Sequence, residues 1–559
     1  MDEPLNSSQT FLSETAARVL PRILTQICRD PGAPFHGACD RNWWHYKIRD
    51  FPSIILQQAG YVLATAAELP REHANAAQFR ELAAATARFW NQRAVRYGAF
   101  EEYYPYEQGY PPVAFATLAV AKLCHQGIVP LEEVRPGLAI AAKQLLSRFE
   151  AEAANQQIAG TAALSVIRSV DPSLIEEPTF QSVLTKILDL QHPEGWFPEY
   201  DGPDLGYLAV SIDCLWDIFD HTGDSRAKAA IVSAADYTAW FTLSPLGAAG
   251  MHNSRNTDYF VPYGLVRLAL EDASSQSAAI VRQLFTRKSP ADFHPFDAVD
   301  DRYWCHYIGH SVFRALVLLE KNNSPASPST PPNTSIPSHQ AGSGHVLIKS
   351  TENATSIVST RKGAIATALW PDGAVTNDFG WIVKTKKKLF VSHWWSTAWK
   401  IQTEDHLAGC EGYLVSHKEH LSAPWKHMVL RCGSFLIGRK LIRILKRLVI
   451  FKKPLQTLHF SRSVTWEGET LVIQDKITGV SATDRITRAP RTSKRHVASA
   501  DSYHPEDFEM LVGVERSENV TRSQGVFGCE TRYRKIEVGD QKSEVGRQTT
   551  DENQLGKGT

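Results

Sequence analysis

One pattern recurs roughly every fifty residues through the first 320 positions, a spacing typical of helical-pair repeats. Each instance is an aromatic and polar cluster followed by a helix of small and apolar residues. The first is Asn42-Trp43-Trp44-His45-Tyr46-Lys47-Ile48-Arg49-Asp50, before FPSIILQQAGYVLATAAEL. The second is Glu101-Glu102-Tyr103-Tyr104-Pro105-Tyr106, before PPVAFATLAVAKLCHQG. The third, Asn155-Gln156-Gln157, opens IAGTAALSVIRSV, and the fourth, Trp196 to Asp201, precedes LGYLAVSIDCLWDIFDHTG. The fifth is Asn253-Ser254-Arg255-Asn256-Thr257-Asp258-Tyr259 and the sixth Asp301-Arg302-Tyr303-Trp304-Cys305-His306-Tyr307. More charged segments lie between them, such as REHANAAQFRELAAATARFWNQRAV, with apolar residues at helical spacing on one face. Buried helices alternating with half-wet ones are what a ring of helical hairpins needs. In such a ring the inner-helix starts meet at one mouth, where free N–H groups and partial positive charge suit anionic ligands.

Residues 322–344 form a Pro/Ser/Thr/Asn tract that reads as a linker. Beyond it the apolar period changes to two. HVLIKST, ATSIVST, GAIATALW, GWIVKT, KKLFVSHWW, YLVSHKEHL, MVLRCGSFLI, LHFSRSVTWEG and ETLVIQDKITG read as strands. Many short strands at close spacing predict a sandwich. The expected fold is therefore multidomain α and β: an incomplete (α/α) toroid over 1–321, the linker, an antiparallel β-sandwich over 345–538, and a disordered tail over 539–559. The basic stretch 438–453 reads as a solvated insertion, with membrane or polyanion contact as the alternative.

Lys+Arg and Asp+Glu both number 60, so the chain lacks the basic field of a nucleic-acid binder. Its eight cysteines form no CxxC pair, and no metal-ligand set stands out; the expectation is no cofactor, with a structural divalent metal left open. The first thirty residues carry Asp2, Glu3 and Glu14 and no secretory pattern, which predicts a cytoplasmic location, or a periplasmic one if a leader has been lost.

The stretch Glu194-Gly195-Trp196-Phe197-Pro198-Glu199-Tyr200-Asp201-Gly202-Pro203-Asp204-Leu205-Gly206-Tyr207 resembles the segment around the catalytic tyrosine of the heparinase II/III-like polysaccharide lyases and their alginate-lyase relatives. Asn155 lies upstream at about the family's asparagine-to-tyrosine separation. The resemblance implies β-elimination at a uronic acid of an acidic polysaccharide: the carboxylate is neutralised, the C5 proton removed, and the departing O4 protonated. By that resemblance Asn155 neutralises the carboxylate and Tyr207 is the acid, or both acid and base, with Tyr200 as the alternative. Gln156 stands where the family often has histidine, and glutamine cannot take a proton near neutral pH. His252 is one candidate for a replacement base; His45, His306, His393 and His406 are others. Trp44, His45, Tyr104, Gln156, Glu199, Arg255, Asn256, Trp304 and His393 are the expected substrate contacts. Arg495-His496-Val497-Ala498-Ser499-Ala500-Asp501-Ser502-Tyr503 is polar, but strand alternation argues against a hydrolytic triad there. Three alternatives remain: a glycoside hydrolase using two of Glu199, Asp201, Asp204 and Glu101, a uronyl C5-epimerase, and a non-catalytic glycan-binding protein.

Overall fold

A computed structural model describes residues 4–536 except 99, 244–246, 249, 258, 273–274, 288–291, 323–338, 341–344, 352–353, 371–373, 405–406, 418–422, 439–440, 442–443, 446–455 and 491–513. The described residues pack into two units. One holds everything up to Asn322 together with the stretch from Ala423 to Leu445. The other holds His339 to His417, Gln456 to Pro490 and Val514 to Ile536. Most of the expected linker, the tail, His406 and the segment Arg495 to Tyr503 lie outside the described residues.

The first unit is helical. Its elements are α1 (Pro4–Gln26), α2 (Arg41–Trp44), α3 (Ala59–Ala66), α4 (Ala76–Tyr97), α5 (Tyr110–His125), α6 (Leu131–Leu146), α7 (Ala154–Val170) and α8 (Glu177–Leu188). They continue with α9 (Leu205–Thr222), α10 (Ser225–Ala239), α11 (Tyr263–Glu271), α12 (Gln276–Leu284), α13 (Asp301–Trp304) and α14 (Tyr307–Lys321). The inner helices follow the six clusters: α3, α5, α7, α9, α11 and α14. Each packs on the next, and α14 returns to α3, so the inner ring closes. The outer helices α4, α6, α8, α10 and α12 each back the inner helix before them, and α1 backs α14. The first and last helical segments thus make one pair across the seam.

Burial explains the compositions. In α9 every residue from Leu205 to Ile218 is buried, and in α7 every residue from Ala154 to Ile167 except Gln156. Each fully buried Leu or Ile there contributes about 1.5–3 kcal/mol. Outer α8 buries only Phe180, Leu184 and Ile187. Asp204 caps α9 and Asp224 caps α10, while Gly98 and Gly223, at φ 57° and 68°, end α4 and α9 in the left-handed conformation that glycine adopts without strain.

The second unit is antiparallel β throughout its described ladders. A six-stranded sheet runs in the order Lys400–Glu404, Leu407–Tyr413, His459–Glu467, Thr470–Thr478, Val526–Lys535, Val514–Ser523. A five-stranded sheet runs His339–Gln340, Leu347–Ser350, Thr355–Ser359, Ile365–Leu369, Val375–Asp378. A four-stranded sheet pairs Val415–His417, Leu389–Val391, Trp381–Lys384 and Arg485–Arg488. Inward residues alternate along His459–Glu467 and Val526–Lys535, and they meet Trp370, Trp381, Trp399 and Ile473 in one apolar core.

Three expectations are corrected. The segment MVLRCGSFLI is not a strand: it lies in helix α15 (Pro424–Ile437). That helix packs with the toroid unit, so the sandwich is not continuous over 345–538. An apolar run of this length is compatible with either period, and Pro424 at its start favours a first helical turn. Within the expected linker, His339–Gln340 pairs with Leu347–Ile348 as the sheet's edge.

Candidate active site

The loop before α9 is held in an unusual backbone. Tyr200 and Asp201 have φ of 54° and 70°, a region that disfavours side chains with a Cβ. Of six non-glycine residues with positive φ among those described, five fall in or directly beside the recurring clusters: Lys47, Tyr106, Tyr200, Asp201 and Asn256. Such strain persists only where the surroundings over-determine it, and it concentrates at functional sites.

Backbone hydrogen bonds lace the starts of α7, α9 and α11 together. Ala154 N donates to Pro198 O at 3.0 Å, and Tyr200 N to Glu152 O at 2.7 Å, which sets Asn155 beside the Glu199–Tyr200 turn. Ser254 N donates to Pro203 O at 2.8 Å and Ser254 Oγ to Glu199 O at 2.6 Å. Asp204 accepts from Tyr207 N at 3.1 Å and Thr257 N at 3.4 Å. Gly206 makes this approach possible: a Cβ there would fall 2.1 Å from Thr257 Cγ2 and 2.7 Å from the Tyr259 carbonyl oxygen.

Arg255 is the centre of this half. It is 5% exposed and pairs with Glu199 Oε1 at 2.6 Å. Its guanidinium carbon lies 4.4 Å from the centroid of the Tyr200 ring and 4.8 Å from that of Tyr207. Burial opposes the charge, but Tyr207, Tyr200, Glu199 and Asp204 outweigh it and raise the pKa above the ordinary arginine value. Arg255 Nε, Asn155 Oδ1 and Gln156 Oε1 are buried atoms with no hydrogen-bond partner among the described residues. Asn155 itself is 3% exposed.

The other half is a tyrosine wall. The Tyr207 and Tyr307 rings lie 6.3 Å apart, and the Tyr307 and Tyr259 hydroxyls are 3.1 Å apart. Tyr303 packs edge-on to His306 and lies beside Tyr103, which lies beside Glu102. Burial, with Glu107 nearby, pushes Glu102 up to about 8, and burial pushes Glu107 up to about 7. Arg49 reaches from the first cluster to the Glu102 carbonyl at 2.8 Å, and Ile54 N donates to Glu101 O at 2.7 Å. Contacts therefore run through all six inner-helix starts, as the recurrence predicts.

The expected site residues divide. Tyr207, Tyr200, Asn155, Gln156, Glu199, Arg255 and Asn256 come together on the starts of α7, α9 and α11. His252, 2% exposed, ends the short 3-10 turn Gly250–His252 three residues before Arg255. Tyr104 is half-buried at the second start, its phenol pushed up by burial. His45 is exposed, while the Trp44 indole donates to Gln26 O at 2.9 Å and has only ring face left to offer. Trp304 is corrected: it is 0% exposed, packed against Phe296 at 5.5 Å, and a sugar has no route to its ring. His306 is buried, and that burial pushes it down to about 3, which makes it a poor base near neutral pH. His393 belongs to the second unit, where burial, Lys362 and His417 also hold it down at about 3. Sequence reasoning missed Glu102, Tyr103, Tyr259, Tyr303 and Tyr307 as site residues, although all lie in the recurring clusters. Among the described residues no group of three or more His, Cys, Asp or Glu is placed to hold a metal.

No family model matches the sequence, and no curated protein matches it. Among solved structures, the chondroitin AC lyase of Streptomyces coelicolor A3, in complex with chondroitin sulphate, superposes with a TM-score of 0.51 at 9% identity, over 94% of this chain and 77% of that one. Heparinase III gives 0.44 at 9% identity, over 95% and 92%. The cellobiose 2-epimerase of Bacillus thermoamylovorans gives 0.38 at 10% identity, over 56% and 99%. The likeness to the chondroitin lyase shows the fold: this chain has the helical toroid and β-sandwich of a polysaccharide lyase.

Proposed function

We propose that the protein is a polysaccharide lyase that cleaves a uronate-containing chain by β-elimination. The carrying observation is Arg255, a buried cation set against the rings of Tyr200 and Tyr207, with the helix start that carries Asn155 hydrogen-bonded to the neighbouring Glu199–Tyr200 turn. Removing the C5 proton builds negative charge on the uronate carboxyl. The Asn155 amide binds that carboxyl; its oxygen lacks a partner, and a half-turn about its last bond presents the NH2 instead. Tyr207 removes the C5 proton as a tyrosinate stabilised by Arg255, then returns a proton to the departing O4. On this reading the base needs neither the histidine that Gln156 replaces nor His252. Tyr200, held in a strained backbone and packed against the same guanidinium, positions Arg255. The similar chondroitin AC lyase is in complex with chondroitin sulphate, and a polyuronate or glycosaminoglycan is the proposed ligand.

A hydrolase is the second reading, because Glu102 is a buried carboxyl that stays protonated near neutral pH, as a general acid requires. Incubation with a panel of uronate polymers separates the two. Unsaturated uronide absorbance that Tyr207→Phe abolishes supports the lyase. New reducing ends without that absorbance, lost in Glu102→Gln, support the hydrolase instead. C5 proton exchange without cleavage indicates an epimerase, and activity that survives Tyr207→Phe removes Tyr207 from its role.

A further inference from the structure

Helix α15 turns its apolar side outward. Trp425, Met428, Val429, Cys432 and Leu436 recur at i, i+3, i+4, i+7 and i+11, which places them in one stripe along a helix of 3.6 residues per turn. In a helix seated on a core this stripe is the buried one. Here Trp425, Met428, Val429 and Leu436 are 65, 66, 63 and 78% exposed, and Ser434, on the opposite side, is the buried residue. The helix is held to the toroid unit by its other faces. Arg431 Nη2 donates to Asp50 Oδ1 at 2.9 Å, and the Phe435 ring packs edge-on to Tyr106 at 5.3 Å. Both anchors lie in the first two recurring clusters.

The charge of the sequence that carries the stripe selects what covers it. From His420 to Lys453 the sequence has nine Lys and Arg and no Asp or Glu, and seven of the nine follow the helix directly. An outward apolar stripe in a strongly cationic segment is the signature of an element lying in the interface of an anionic bilayer, with apolar side chains at the acyl boundary and cations among the headgroups. A second copy fits worse: a two-fold contact would bring two such cationic segments together without a compensating acid. A sulphated glycan would satisfy the charge but leave the stripe in water. No helix among the described residues is long and apolar enough to cross a membrane, so the contact is interfacial.

We infer that the α15 face is a docking surface for an anionic lipid membrane, which holds the first two inner-helix starts of the toroid at the lipid surface. The stripe itself contains none of the proposed catalytic groups, and the inference does not depend on the β-elimination reading. The test floats the full chain with vesicles of phosphatidylcholine alone, or of phosphatidylcholine with phosphatidylglycerol, and attaches an environment-sensitive fluorophore to the exposed Cys432. The expected result is binding roughly tenfold or more tighter to the anionic vesicles, weakening with salt, with a blue shift of the probe. Trp425→Asp with Met428→Asp should cut that binding by roughly tenfold or more. The melting temperature should hold, because both side chains are exposed. Equal binding to both vesicles, or equal binding by the double variant, overturns the inference. So does a lipid-free dimer, seen by light scattering, that the double variant dissolves, since a second copy would then cover the stripe.

Discussion

Two buried ionic clusters, one in each unit, look alike by composition and differ in completeness. In the sandwich, Arg462 bonds Asp475 Oδ1 at 2.6 Å, Asp475 Oδ2 at 2.8 Å and Asp378 Oδ1 at 2.9 Å. Trp381 Nε1 donates to Asp475 at 2.8 Å, Tyr533 donates to Asp378 at 3.0 Å, and Arg488 pairs with Asp378. Every oxygen of the two carboxylates is taken. In the toroid, Arg255 has Glu199 and two tyrosine rings, but its Nε and the neighbouring Asn155 Oδ1 are left over. Buried polar groups are almost always satisfied, so an exception beside a buried cation at the converging helix starts leaves a place for a ligand or water to complete, while a complete cluster is accounted for by folding alone. Burial and charge by themselves would have ranked the two clusters equally as candidate sites.

The contrast breaks most directly at Arg462. Replacing it by Met leaves Asp475 buried without a cation and Asp378 with Arg488 alone, and should cost about 3–5 kcal/mol in denaturant unfolding. A loss below about 1 kcal/mol would mean that the cluster is not the structural lock described. Next is Tyr207→Phe, expected to lower turnover by about 10²–10⁴. Because Phe keeps the ring under Arg255, its melting curve should match that of the parent.

The two units should also fail at opposite ends of the pH scale. Burial disfavours the Asp378 charge, but Arg462 and Arg488 override it and hold the carboxyl at about 2, below its ordinary 3.8. A depressed carboxyl stabilises the fold above its unfolded value, and that contribution fades as pH falls from about 4 towards about 2. Glu102 is displaced the other way, from 4.5 to about 8. Its contribution is full below about 4.5 and is lost as pH rises through about 8. Melting temperature against pH should thus lose its acid limb in Asp378→Asn and its alkaline limb in Glu102→Gln; an unchanged profile in either removes that assignment. The smallest effect belongs to Asn155→Ala. With the Oδ1 already unpartnered, stability should move by less than about 1 kcal/mol while turnover drops by about 10²-fold or more. A large unfolding penalty would instead make Asn155 a structural residue.

Much of this was legible in the chain. The recurrence named six helix starts, and contacts run through all six. The segment from Glu194 to Tyr207 carries the tyrosine, its Asp204 cap and the Glu199 that meets Arg255. Trp304 was misread because a tryptophan at a helix start has the same sequence signature whether it faces a cleft or a core. The helix at 424–437 was misread because its apolar run fits either period, and what placed it with the toroid unit is an ion pair between residues 381 positions apart.

The sequence by itself determined the alternation of inner and outer helices, the change of period at the linker, and which segments carry reactive groups. These follow from local periodicity and residue type, which act over a few turns. Only the tertiary structure decided that α1 closes the ring against α14, that Tyr200 and Asp201 are held in the left-handed region, and which buried cluster is complete. Those outcomes depend on atoms distant in sequence arriving within a few ångströms of one another, and no local pattern records which partner will be there.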